Sequence, residues 1–135
     1  MKRFLSTKYS ENAFAFALFV LRITAGGLII PHGVQKLQNF GKFSAQFVDP
    51  FHLGTTVSLG LTIFAELFCG IFIVLGLFTR LAAIPLVINM SVAVFIAHKG
   101  DVTNTAQAAT LFLAMFIAIL FVGAGKFSMD RMIGK

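Results

Sequence analysis

Residues 13–35 read AFAFALFVLRITAGGLIIPHGVQ, an apolar run of spanning length with one arginine inside it. At a rise of about 1.5 Å per residue, Arg22 lies roughly 14 Å from Ala13, near the centre of a hydrocarbon layer about 30 Å thick. A guanidinium at that depth costs about 2.5–3.5 kcal/mol on insertion scales and lies far from either aqueous surface. It requires a partner inside the protein. Thr24, Gly26 and Gly27 follow it and give the helix a small face for close packing.

The rest of the chain repeats the apolar theme. Hydrophobic residues make up 58% of the chain, mean hydropathy is +0.91, and charged residues are only 12%. Soluble domains carry about 25% charge, so the composition specifies an integral membrane protein. Net charge is +6, yet the Lys and Arg residues stand singly between apolar runs. No basic face with interleaved aromatics forms, which excludes a nucleic-acid footprint. Cys69 is the only cysteine. An internal disulfide and CxxC chemistry are therefore excluded.

Four spans are expected in one membrane domain over residues 1–135, at about 13–34, 57–78, 81–98 and 106–122. The basic start, MKRFLSTKYSEN, leads into a run without a small-residue cleavage site, so the first span is expected to stay in the mature protein. Ser10 is placed to cap it, and Pro31 near its end frees a carbonyl. Between spans one and two, Phe40, Phe43, Phe47 and Phe51 recur at spacings of three and four. This predicts a short amphipathic helix at the interface, or a re-entrant lid, stopped by Asp49-Pro50. Only Thr79 and Arg80 separate spans two and three, which forces an antiparallel pair. The predicted fold is an all-α transmembrane four-helix antiparallel bundle with an interfacial segment between helices one and two.

Four spans place both termini on one side. Lys2, Arg3, Lys8, Arg80, Lys126, Arg131 and Lys135 share that side, against Lys36, Lys42 and Lys99 on the other. The bias predicts cytoplasmic N- and C-termini in a bacterial inner membrane.

Few polar residues remain to carry chemistry. Glu66 in span two is also expected at mid-depth, so Arg22 and Glu66 are predicted to form a buried ion pair, with register or chemistry as its role. His32 and Lys36 lie one turn apart at the outer end of span one, and with Arg22 and Glu66 they line a candidate cavity for a quinone head group or an anionic substrate. Their other reading is interfacial anchoring. His32 and His98 end spans one and three and are weak candidates for haem or metal, without a recognised ligand spacing. Arg80 and Asp130 are a candidate ion pair on the cytoplasmic side. Asn89 and Ser91 are assigned to hydrogen bonding between helices.

Several motifs in order carry a resemblance: Arg22 with its glycines, His32-Gly33 and Lys36, Glu66 with Gly70, Gly76-Leu77-Phe78-Thr79-Arg80, and Gly123-Ala124-Gly125 before Ser128-Met129-Asp130. Over about residues 18–130 the chain resembles the DoxX family of small four-helix membrane proteins. The tail departs from the Gly-Pro-Gly of many members. The resemblance implies a quinone-linked or accessory subunit of a membrane oxidoreductase rather than a self-sufficient enzyme. It implies quinone as the cofactor to consider, and a redox-enzyme partner or a homo-oligomer in the lipid bilayer. Distant relatives imply one alternative, an assembly, chaperone or structural partner of another membrane protein; a small-solute carrier acting as an oligomer is a further alternative, outside the resemblance. The missing cysteine pair argues against thiol-disulfide chemistry.

Overall fold

A computed structural model describes residues 2–134. Lys135, counted in the charge bias, lies outside them. Every regular element among the described residues is helical: α1 (Glu11–Gln38), α2 (Phe40–Ser44), α3 (Thr55–Leu75), α4 (Thr79–Ala97), α5 (Gln107–Val122) and α6 (Met129–Met132). Helices α1, α3 and α4 are long and apolar enough to cross a membrane, and α5 is a shorter apolar helix.

Local chemistry sets the boundaries. Ser10 is extended and its Oγ accepts from the Ala13 amide at 3.1 Å, with Glu11 in the first turn where the helix dipole favours an anion. The helix continues through Pro31 to Gln38 and ends where Asn39 donates to the Gln35 carbonyl. It is longer than the apolar run that announced it. The expected amphipathic segment is helical only over Phe40–Ser44, and the rest is turn and irregular chain. Asp49 ends that segment and begins the next: its carboxylate accepts from the Leu53 and Gly54 amides and from Ser58 Oγ, each at 2.9 Å. At the other end of α3, Gly76 takes φ +68° and Phe78 φ +48°, which reverses the chain into α4 within three residues. The left-handed cap suits glycine.

Consecutive long helices pack side by side, and α5 returns to α1, closing a ring. Ala25, Ile29, Ala65, Ile73, Leu86, Phe116 and Ile119 fill its centre. Large apolar side chains stay outside on every long helix, among them Phe16, Leu28, Leu61, Phe68, Ile88, Phe95, Leu111 and Phe121. An outward apolar surface of that extent suits lipid rather than water.

Glycines fix the register of α1 on α3. A methyl at Gly26 would stand 2.8 Å from the Gly70 carbonyl oxygen, and one at Gly33 would stand 2.9 Å from the Leu67 amide nitrogen. The two backbones therefore touch, running in opposite directions. Gly27, expected on the same small face, has open space around it.

Candidate functional site

That register separates the two residues expected to pair. Gly33 stands beside Glu66, whereas Arg22 lies eleven residues earlier on α1, about 16 Å along the axis. Arg22 reaches the opposite end of α3, and the Arg22–Glu66 ion pair is not formed. The ends of the apolar runs place both residues at mid-depth, but glycine contacts, not run ends, decide which turns of two helices meet.

Glu66 pairs with Lys36 instead. Lys36 Nζ donates to Oε1 at 2.6 Å, and Asn89 Nδ2 of α4 donates to Oε2 at 3.2 Å. The carboxylate side chain is 4% exposed and the lysine side chain 21%, so the acid is enclosed and the ammonium touches the outside. Three helices thus meet at one carboxylate. A π-helical stretch, Phe64–Cys69, carries Glu66 inside α3. Such bulges change which face a side chain presents, and they recur at functional sites. Asn89 makes the expected bond between helices, whereas Ser91 donates to Val87 of its own helix.

Arg22 occupies a second centre at the hairpin end, where α1 begins, α3 turns and the tail folds back. Its residue exposure is 1%. Nη2 donates to the Phe127 carbonyl and Nη1 makes a long contact of 3.5 Å with the Ile73 carbonyl, while the Phe19 ring lies 5.7 Å from Cζ. A methyl at Gly76 would collide with Nη1 at 2.0 Å, so the guanidinium fits only beneath a glycine. The acid close enough to act on it electrostatically is Asp130, not Glu66. Nε has no hydrogen-bond partner.

Asp130 itself accepts from the Phe78 and Thr79 amides at 2.7 and 3.0 Å, and its own amide donates to the Gly76 carbonyl at 2.9 Å. The expected Arg80–Asp130 ion pair is not formed. Arg80 donates to the Phe121 and Val122 carbonyls at the end of α5, where the helix dipole is negative and carbonyls lack helical partners.

The four-residue cavity proposed from sequence is therefore divided. Lys36 and Glu66 meet, Arg22 belongs to the other end, and exposed His32 stands edge-on to Phe112 of α5 at 5.9 Å. His98 is also exposed. Among the described residues, no group of three or more His, Cys, Asp or Glu side chains gathers to hold a metal.

The family model described as DoxX matches residues 17–99, a stretch that contains Arg22, Lys36, Glu66 and Asn89. An uncharacterized protein of Haemophilus influenzae is 31% identical over 92% of this chain and 92% of its own length. An uncharacterized membrane protein of Mycobacterium tuberculosis is 28% identical over 88% of this chain and 82% of its own. No solved structure matches the chain at a significant level.

Proposed function

The chain belongs to the DoxX family, and from that premise we propose that it is a quinone-contacting subunit of a membrane oxidoreductase. In this reading α1, α3, α4 and the shorter α5 span the inner membrane as an antiparallel bundle, residues 39–54 lie at the outer interface, and both termini face the cytoplasm. The cation bias supports that orientation: Lys8, Arg80, Lys126 and Arg131 lie toward the hairpin end, and Lys42 and Lys99 toward the other.

One observation carries the proposal. Lys36, Glu66 and Asn89 form a side-chain cluster within apolar helices, and its ammonium is still partly accessible. An ammonium has three donors, and one is used on Glu66. Two remain for a carbonyl oxygen of a quinone ring, with Asn89 as neighbour. Glu66 holds the ammonium in place and is the group positioned to relay protons, taken up at a carboxylate oxygen from the accessible side, toward the ring oxygens. A bound quinone supplies a two-electron, two-proton acceptor. The electrons come from a partner redox enzyme, since Cys69 alone cannot form a dithiol couple.

Gentle purification from the native membrane with lipid extraction tests the reading. Stoichiometric quinone is expected with the unaltered chain and at least a tenfold loss with Lys36→Met. A stable partner complex that holds no quinone overturns it and favours an assembly role.

A further inference from the structure

The hairpin end carries a second feature that the cluster at Glu66 does not use. A cleft of about 730 Å³ opens between the start of α1, the α3–α4 turn and the tail, lined by Arg80, Lys126 and Arg131 among others. An apolar groove of about 240 Å³ runs between α3 and α4, from Phe78 and Leu81 past Phe72 and Pro85 to Phe64. Phe78 and Leu81 line both, so the polar cleft opens directly onto the groove.

We propose that cleft and groove together form a binding site for one anionic phospholipid, with the phosphate in the cleft and an acyl chain along the groove. The charge balance of the cleft favours an anion. Three cations face two carboxylates; with Asp130 engaged by two backbone amides and Arg80 by the Phe121 and Val122 carbonyls, Lys126 and Arg131 still outnumber Glu11. Lys126 donates to Asn12 Oδ1 at 3.1 Å, which leaves ammonium donors available. Thr79 lines the cleft, is 1% exposed, and its Oγ1 has no hydrogen-bond partner. A buried hydroxyl without a partner is uncommon enough to ask what satisfies it. The groove walls carry no charge, which suits a hydrocarbon chain and not the tail of a soluble ester. A phosphate joined to a hydrocarbon matches both halves; a soluble phosphate matches only one.

The site is tested with the full-length chain in mild detergent, loaded from mixed micelles containing phosphatidylglycerol and read by native mass spectrometry. One lipid per chain is expected to survive dilution into lipid-free detergent. Lys126→Gln with Arg131→Gln should reduce retention at least tenfold, and Ile84→Trp, which fills the groove from its lipid side, should do the same while helical circular dichroism is unchanged. Lys42→Gln with Lys99→Gln removes equal charge at the far end and should leave retention intact. Equal loss in that control, or retention unaffected by both test variants, overturns the proposal. So does displacement of the lipid by excess inorganic phosphate, because then the groove contributes nothing.

Discussion

Arg22 and Lys36 are cations on one face of one helix, four turns apart, and the molecule treats them in opposite ways. Arg22 is enclosed by backbone: its hydrogen bonds go to the carbonyls of Ile73 and Phe127, and a glycine at position 76 makes room for it. Lys36 is engaged by side chains, the Glu66 carboxylate and through it the Asn89 amide, and it keeps partial access to its surroundings. Backbone carbonyls neither titrate nor leave. A cation held by them is a fixed structural joint. A carboxylate and an amide can exchange partners and protons, so the second centre is suited to a ligand and the first is not. Burial separates them as well, but the chemical kind of the partners decides what each can do.

If Arg22 is a joint, breaking it should have the largest effect on stability. Arg22→Met takes the donor from the Phe127 carbonyl, at about 1–3 kcal/mol, while the Ile73 carbonyl keeps the Gly76 amide, and it releases the tail from the hairpin. Gly76→Ala imposes a left-handed alanine, about 1–2 kcal/mol, and pushes a methyl into the guanidinium. Each is expected to lower the unfolding free energy in detergent by roughly 3 kcal/mol, while bound quinone per folded chain stays unchanged. Loss of quinone from the folded fraction of either variant would merge the two centres into one.

The centre at Glu66 should respond in reverse. Glu66→Gln is expected to cost about 1–2 kcal/mol, less than the Arg22 joint because Lys36 can turn outward, and Lys36→Met about 2–3 kcal/mol, because the enclosed carboxylate is left with Asn89 alone. Combined in a double-mutant cycle they should show a coupling of about 0.5–3 kcal/mol, as expected for residues in contact. Arg22→Met with Glu66→Gln should be additive within about 0.5 kcal/mol. Coupling in the second cycle would restore the pairing expected from the sequence alone.

That expectation failed for a physical reason. The apolar runs, the Ser10 cap and a tight reversal between α3 and α4 are written in residue types that act locally, so they are legible, although the turn falls at 76–78 and the expected connection, Thr79 and Arg80, opens α4 instead. Register is not local. It depends on which glycine meets which, and Gly26, Gly33 and Gly70 carry no mark of their mates. Arg22's true partners are carbonyls, which every residue possesses, so no composition signal points to Ile73 or Phe127. Lys36 and Glu66 are legible as neighbours in one candidate cavity, but their direct ion pair appears only once Gly33 is set against α3. Glycine substitutions sharpen this point: Gly33→Ala should cost about 1–3 kcal/mol by forcing the backbones apart and should weaken the Lys36–Glu66 contact. Gly27→Ala, with open space around it, should stabilise the helix by about 0.5–1 kcal/mol. Equal effects would mean that the close approach of α1 and α3 does not set the register.

Asp49 offers the smallest and most controlled version of the contrast, because it is the anionic counterpart of Arg22: a charge held largely by backbone. Partial loss of water pushes its carboxyl up, but the bonds from Ser58, Gly54 and Leu53 and the nearby His52 outweigh this and hold it below its ordinary value of 3.8. A depressed carboxyl contributes stability that is present above the unfolded value and lost as pH falls through the folded one. The start of α3 should therefore be insensitive to pH across the neutral range and loosen only in acid, below about pH 4. Hydrogen exchange at the Leu53 and Gly54 amides reports this directly: protection should persist to mild acidity and then fall, while Asp49→Asn should remove the acid step without touching amides near Glu66. If protection is instead lost with a midpoint near neutrality, a histidine rather than Asp49 governs this turn, and a charge held by the backbone is not the pH-insensitive joint that the comparison with Lys36 requires.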